Sequence, residues 1–534
     1  MLSRTVAALI ALLTSSPLRH ARFRRFYFGS VGTALGYTMQ ATIAAWLMAT
    51  LTPSAAMVAL VQTASTAPTL FFGLIAGALA DIVDRRRLLL VSQIILLVTT
   101  GVLGIATLAG VVGPGTLLAL TFLIGVGFTF YLPTQQAMIN ELVPHSELSP
   151  AVALGAVAFN VSRAAGPALA GAMAALLGSG SALLASAVLF VGMIVAVRNW
   201  QRSAVAIPGI PETVVSAIGS GIRFARHSRP IRALFLRNVC FSVCGSALWA
   251  LLPLVARDQF AMGAGGFGFL LGVFGVGAVI GAFALPQHLQ RVSLNALVNS
   301  GVLLWAVATV LIVSSTLLPL ATLGVGMAGA AWVSVLSSLS AGTQSSAPAW
   351  VRARVLAINL LAVQASIAVG SAMWGALASL MGIRITLAVS AAVLLALLAL
   401  TRKVHVALGD EAGMTAGAQL PELSVAVEPL PDDGPVLIQI EYRIAPANRA
   451  AFLRAMHDIE STRRRNGASS WRLFRDLEDE ERFVERFVIT SWAEYIRLRT
   501  RFTITDHDLQ SRVLKLQRPE VPIRISRLLA VAPH

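Results

Sequence analysis

Twelve apolar stretches, each close to the ~20 residues needed to cross a bilayer, recur along this chain in two sets of six. They lie near 27–51, 55–80, 88–109, 115–139, 151–177 and 179–198. After a polar interval they resume near 233–256, 264–286, 294–314, 317–341, 355–380 and 384–401. In lipid each backbone polar group must be satisfied within its own segment, so each stretch reads as a helix. Composition agrees: 56% of residues are hydrophobic and only 12% charged, against roughly 25% charged in soluble proteins. That argues against a soluble enzyme, a nucleic-acid binder or a disordered chain.

The net charge of +16 is unevenly spread. Up to residue 401 there are 21 Lys+Arg and 6 Asp+Glu; from 402 onward there are 20 and 19. The excess cations therefore flank the apolar stretches, where they mark cytoplasmic loops. With the N-terminus inside, seventeen arginines, among them Arg19, Arg85, Arg226 and Arg352, fall on one side, and Arg257 and Arg384 on the other. Both termini are expected in the cytoplasm. The short apolar run Val6–Leu13 reads as an interfacial helix rather than a signal peptide. Cys240 and Cys244, one helical turn apart, read as small packing residues rather than a disulfide.

The expected domain order follows: an N-terminal segment 1–26, a six-helix bundle 27–198, a central loop 199–232, a second bundle 233–401, a linker 402–434 and a soluble domain 435–534. The two bundles look like duplicates. A shift of 204 residues aligns Gly73, Gly77, Ala78, Ala80 and Arg87 with Gly277, Gly281, Ala282, Ala284 and Arg291. The same shift carries Pro144, Gly166 and Gly171 onto Pro348, Gly370 and Gly375. Parallel six-span repeats place a substrate site between the halves, near mid-membrane.

After the second stretch comes a segment running from Gly77 through Asp81 and Asp84 to Arg85, Arg86 and Arg87. It resembles motif A of the major facilitator superfamily. Gly77 is expected to permit a close helix approach, and Asp81 to form a latch with an arginine or a helix N-terminus. The glycine that many relatives carry after the second acid is replaced here by Arg85. In the fifth stretch Asn160, Arg163, Gly166, Pro167 and Gly171 resemble the Gly-Pro motif C of exporters. Gly166, Pro167 and Gly171, with Gly370 and Gly375, are the expected hinge and packing positions.

The resemblance extends through Pro17–Arg19, Phe23–Arg25, Pro133–Gln135, Glu141–Pro144, Val351–Val355 and Gly370–Gly375. Together these resemble the branch of the superfamily known as enterobactin-exporter-like proteins or transmembrane secretion effectors. That likeness implies efflux of siderophore- or drug-like molecules from the cytoplasm by alternating access, driven by an ion gradient. The alternatives are an importer or receptor, or a bifunctional protein whose tail oxidises or senses cargo.

No acid or histidine falls mid-span, so Asp81 and Glu141 are the remaining candidate proton carriers. An arginine within a span is a functional-site candidate by default, which singles out Arg163. Tyr37, Gln40, Gln62, Gln135 and Gln136 in the first half are further cavity candidates. With Asn160, they are joined from the second half by Asn359, Gln364 and Trp374. Such a lining suits an amphipathic, neutral or anionic cargo. No catalytic residue, metal or cofactor is expected; the partners are lipid and small-molecule cargo, without nucleic acid, in a bacterial inner membrane.

From residue 435 the pattern changes. Alternation at Val436, Ile438, Ile440, Tyr442 and Ile444 reads as a half-buried strand. A helix over 446–465, strands over 469–475 and 482–490, a helix over 491–516 and a strand near 522–531 complete βαββαβ, the ferredoxin-like order. The fold class is thus an all-α twelve-span membrane protein carrying an α+β appendage. Gly467, Ala468, Trp471, Arg475, Asp476, Glu485, Ser491, Trp492 and Arg501 resemble the antibiotic-biosynthesis-monooxygenase domain, which pairs into dimers. A homodimer through this domain is what that likeness implies. Tyr495 stands where relatives often have histidine, and the histidine nearby is His507, so the expected role is regulatory or dimerising rather than chemical.

Overall fold

The computed structural model describes residues 16–198, 214–289, 291–409, 425 and 427–531. The segment Val6–Leu13, most of the central loop 199–213 and most of the linker lie outside the described residues. Twelve long helices occupy the expected places. The first half holds α1 (Ala21–Leu51), α2 (Ala55–Ile82), α3 (Arg85–Leu108), α4 (Pro114–Leu142), α5 (Leu148–Leu177) and α6 (Ser179–Arg198). A shorter helix, α7 (Val214–His227), follows. The second half holds α8 (Arg229–Leu254), α9 (Ala264–Leu289), α10 (Leu294–Ser314), α11 (Leu318–Ser345), α12 (Ala349–Met381) and α13 (Ile383–Leu400). Among the described residues eleven of these are long and apolar enough to cross a membrane. The twelfth, α1, is 31 residues long, but Arg22, Arg24, Arg25 and several Gly, Thr and Gln residues dilute its apolar character.

Local chemistry explains the element ends. Ser54 caps α2 by accepting from Met57 N, and Asp84 caps α3 by accepting from Arg86 N and Arg87 N. Pro253 stands just before a π-helical turn, Val255–Gln259, that extends α8; local unwinding beside a proline is the usual response to a missing backbone donor. Gly178 and Gly382 close α5 and α12 with φ near +83° and +82°, a region open to glycine. These two glycines are 204 residues apart, so the duplication extends to backbone conformation.

The chain forms two compact bodies. One comprises the described residues of Met1–Gly209, Arg237–Ser338 and Leu360–Lys403; the other comprises those of Ile210–Leu236, Leu339–Asn359 and Val404–His534. The second contains β1 (Val436–Arg443), α14 (Arg449–Asn466), β2 (Ser470–Arg475), β3 (Arg482–Ile489), α15 (Trp492–Thr500), α16 (Ile504–Leu514) and β4 (Arg524–Leu529). The sheet is antiparallel with order β2-β3-β1-β4, the ferredoxin-like arrangement. Val436, Ile438, Ile440 and Tyr442 turn inward with Phe452, Ile459, Phe483 and Phe487 to form its core.

Two expectations need correction. The single helix 491–516 is two helices, because Thr503 and Asp506 exchange side-chain and backbone hydrogen bonds in a capping box that starts a new helix. The region 199–232 is not wholly loop, since α7 buries Ser220, Gly221, Phe224 and Ala225 along one stripe.

Candidate transport site and helix seams

In the first body the two halves meet along two seams. At α5–α9, a Cβ on Gly171 would lie 2.6 Å from Gly268 Cα and 2.8 Å from Ala264 O. At α12–α2, a Cβ on Gly375 would collide with Ala59 Cβ and stand 3.3 Å from Ala55 O. The fifth helix of one half meets the second helix of the other in both cases, as a two-fold relation between repeats requires. Gly166 and Gly370 form the matching pair within each half. One backs onto Thr38 of α1 and the other onto Ser246 and Val243 of α8, and a Cβ added to either would overlap these neighbours. Only glycine permits such backbone approach.

Polar groups strengthen the same end. Arg257 donates from its guanidinium to Ala49 O and, at 3.3 Å, to Thr52 O, the carbonyls at the end of α1 where a cation is favoured. Thr63 Oγ1 donates to Ala368 O at 2.9 Å and Ser379 Oγ accepts from Ala56 N at 3.0 Å. Toward the opposite end the halves still touch at Gly73, where a Cβ would stand 2.9 Å from Leu361 Cδ2. At Gly77, expected to sit in a tight crossing, a Cβ would meet nothing within 4 Å. The tight-crossing expectation for Gly77 is not met here, since no neighbouring atom lies where its Cβ would stand.

The rest of the motif is tied to its own half. Arg85 donates to Ala80 O at 3.0 Å and pairs with Glu141 Oε1 at 2.6 Å. Arg86 donates to Arg198 O, while Arg87 is exposed. The Asp81 side chain lies outside the described residues. Glu141 is therefore held by the basic segment that follows α2, a pairing that 56 residues of sequence separation concealed.

Between the halves lies a void of about 30 Å³ lined by Ala41, Val58, Gln62, Ser65, Thr121 and Trp249 among others. Trp249 Nε1 and Thr121 Oγ1 are buried there without a hydrogen-bond partner. The volume suits a water or two and is far below the roughly 300–1,000 Å³ of a small-molecule site, so this conformation holds no cargo-sized chamber at this point. Of the expected cavity residues, Gln62 lines the void. Tyr37 stacks on Phe128 with centroids 3.7 Å apart. Gln40 is buried with Nε2 unpaired, and Gln135 donates to Ser30 Oγ at 3.4 Å.

Other candidates are placed elsewhere. Gln136 is exposed, as is Asn160, whose amide donates to Ala156 O one turn back. Arg163 is half-buried over the Phe159 ring at 6.0 Å, and no carboxylate pairs with it among the described residues. Gln364 is half-buried and Asn359 buried, both on α12. Trp374 is fully packed, its indole donating to Val243 O at 2.8 Å, which makes it a strut between α12 and α8 rather than a cavity wall.

Sequence reading missed two features. Arg237, 4% exposed inside α8, donates to Thr401 O at 3.1 Å; an arginine among apolar residues was the available signal. Phe241, Trp249, Phe274, Trp305 and Trp332 form an aromatic cluster in the second half, with neighbouring centroids 4.6–6.5 Å apart. Their positions span four helices, so no local spacing reveals them.

In the C-terminal domain Glu485 is fully buried and accepts from Arg463 Nε at 3.0 Å, Trp471 Nε1 at 2.9 Å and Tyr442 Oη at 2.9 Å. Burial pushes the Tyr442 hydroxyl well above its ordinary value, helped by the adjacent Glu485. The network satisfies a buried charge and reads as an organising core element.

Comparison with known proteins completes the assignment. The multidrug efflux pump Tap of Mycolicibacterium fortuitum is 24% identical over 351 residues, covering 64% of this chain and 85% of the relative. The staphyloferrin A transporter of Staphylococcus aureus is 23% identical over 253 residues, covering 47% and 63%. Among solved structures, a bacterial homologue of the human lysosomal transporter Spinster in an inward-facing conformation overlays with a TM-score of 0.60 at 15% identity, across 73% of this chain and 97% of that one. The family profile described as transmembrane secretion effector matches residues 13–534. With the duplicated bundles and their seams, these matches show that the chain belongs to the transmembrane secretion effector family of major facilitator transporters.

Proposed function

We propose that this protein exports small amphipathic molecules across the bacterial inner membrane by alternating access, with both termini in the cytoplasm. One observation carries the reading. The halves are in close contact at the end bearing Arg257, Gly171 and Gly375, whereas Gly77, toward the end bearing the basic loops, has open space beside it. On the arginine bias, the Gly77 end faces the cytoplasm, which is where cargo for export would enter. Two relatives, one named for multidrug efflux and one for staphyloferrin A, support a cargo of drug or siderophore type.

In this scheme Asp81 and the Arg85–Glu141 pair form the latch, re-engaging as Gly77 closes on the opposite half. Arg163, a cation on α5 with no paired carboxylate among the described residues, would meet an anionic group of the cargo. Trp249 and Gln62 would supply hydrogen bonds once the central void opens. The C-terminal domain is read as a regulatory or dimerising module. The homodimer implied by its likeness would use the sheet face opposite the helices, where Phe474 and Leu528 are 47% and 52% exposed.

The test is accumulation of carboxyfluorescein, an anionic amphipathic dye loaded as its diacetate ester, in energised cells. Cells making the wild-type chain should accumulate less dye than empty-vector cells, and Asp81→Asn at equal membrane abundance should abolish the difference. Equal accumulation in wild type and vector, repeated with staphyloferrin A as cargo, would refute export of this class of molecule.

A further inference from the structure

Within the second body, the C-terminal domain grips two segments that belong to the transporter portion of the chain. Glu494 of α15, 4% exposed, accepts from three arginines. Arg501 reaches its Oε1 at 2.6 Å and Arg497 its Oε2 at 2.9 Å, both from the same domain. The third, Arg223 of α7, reaches Oε1 at 3.0 Å. The Arg501 guanidinium also stacks on Trp350, 4.2 Å from the ring centroid, in the first turn of α12. Arg465 of α14 lies over Phe224 of α7 at 5.5 Å, and Phe224 meets Trp350 edge to face at 5.9 Å.

Each gripped segment is itself locked to the other. Arg354 of α12 donates to Ser220 Oγ of α7 at 2.7 Å. A Cβ on Gly221 would stand 3.0 Å from Arg354 Cβ, so α7 lies flush on α12. Past the end of α13 the chain returns, and Gly409 N donates to Ser345 Oγ at the end of α11 at 2.9 Å. The surface thus comprises α7 and the α11–α12 turn, and its partner is the C-terminal domain of the same chain. A buried carboxylate shared by arginines from both sides is unlike a tethered passenger, whose charges stay solvated and worth little. The cation–π contact at 4.2 Å adds attraction that strengthens as water is excluded.

We propose that the C-terminal domain is a clamp on α7 and the α11–α12 turn, and that its docking is thermodynamically coupled to the conformational equilibrium of the helix bundles. The coupling path is covalent. Helices α11 and α12 each contribute residues to both bodies, so a rocking motion displaces the ends that the clamp holds. By linkage, whatever biases one equilibrium biases the other by the same factor.

Arg223→Ala and Trp350→Ala test this, singly and together, in the full chain reconstituted in lipid nanodiscs. Neither residue belongs to the C-terminal core, so the domain itself should remain folded. Two cargo-independent readouts are used. Hydrogen exchange of α7 amides should accelerate at least tenfold in the double variant while β1 amides keep wild-type protection. Spin-label distances between positions 177 and 269, on either side of the α5–α9 seam, should redistribute. Unchanged α7 exchange would overturn the docking role of these contacts. Faster α7 exchange with an unchanged 177–269 distribution would overturn the coupling, and lost β1 protection would show a shared core rather than a clamp. None of these readouts depends on which molecule is exported.

Discussion

Replacing Gly171 by alanine adds one methyl group where α5 crosses α9, and the structure sets what that methyl must displace. Its Cβ would lie 2.6 Å from Gly268 Cα, 2.8 Å from Ala264 O and 3.1 Å from Gly268 N. All three are backbone atoms, so no side chain can swing aside. Reaching the 3.4 Å at which ordinary contact begins requires the helices to part by about 0.8 Å. Overpacking of this kind costs about 1–3 kcal/mol. Because alanine is a better helix former than glycine by about 1 kcal/mol, the helix itself gains, and any loss arises at the crossing. Set against the state in which this seam is closed, that cost shifts the equilibrium roughly 5- to 150-fold toward the alternative.

The assay is electron–electron resonance between spin labels at Leu177 and Phe269, which are 61% and 52% exposed, after replacing Cys240 and Cys244 with alanine. Gly171→Ala should move population to longer distances. Gly77→Ala is the control: its methyl meets nothing within 4 Å, and it should move none in that direction. If Gly171→Ala leaves the distribution unchanged, or Gly77→Ala broadens it equally, then the seam does not govern which state the protein occupies.

Three further outcomes are expected. Arg163→Ala should abolish carboxyfluorescein efflux at unchanged membrane abundance, since a cation within a span is retained only for a partner; normal efflux would reduce it to a snorkelling side chain. Glu485→Gln should destabilise the C-terminal domain by about 3–5 kcal/mol, because it strands the buried Arg463 charge; wild-type hydrogen-exchange protection in β1 and β3 would contradict this. Burial pushes the Glu494 carboxyl up, but Arg501, with Arg497 and Arg223, outweighs it and holds the group below its ordinary value. Its stabilising contribution is therefore complete above about pH 4.3, the unfolded carboxylate's value, and is lost as pH falls through the lower folded value. Exchange protection of α7 and α15 should be flat from pH 8 to 5 and decline only at more acid pH; a loss near neutrality would point to another group.

Sequence alone determined which segments enter the membrane, the duplication and the order of strands in the tail. These depend on properties that are local or repeat at one offset: runs of apolar residues, alternation at Val436–Ile444, and glycines 204 residues apart. Glycine spacing also named packing positions, of which Gly171 and Gly375 lie at the seams between the halves and Gly166 and Gly370 at crossings within each half. What those glycines touch was not legible, and neither was the open space at Gly77, because crossing distance depends on which conformation the halves adopt. Pairings between distant elements were equally hidden. Arg85 meets Glu141, Arg257 meets the end of α1, and Arg223 meets Glu494 across 271 residues. Each is a contact between charges or carbonyls whose sequence separation carries no periodic signal. Tertiary packing alone brings them within hydrogen-bond reach, and it alone made the appended domain a neighbour of α7 and the α11–α12 turn.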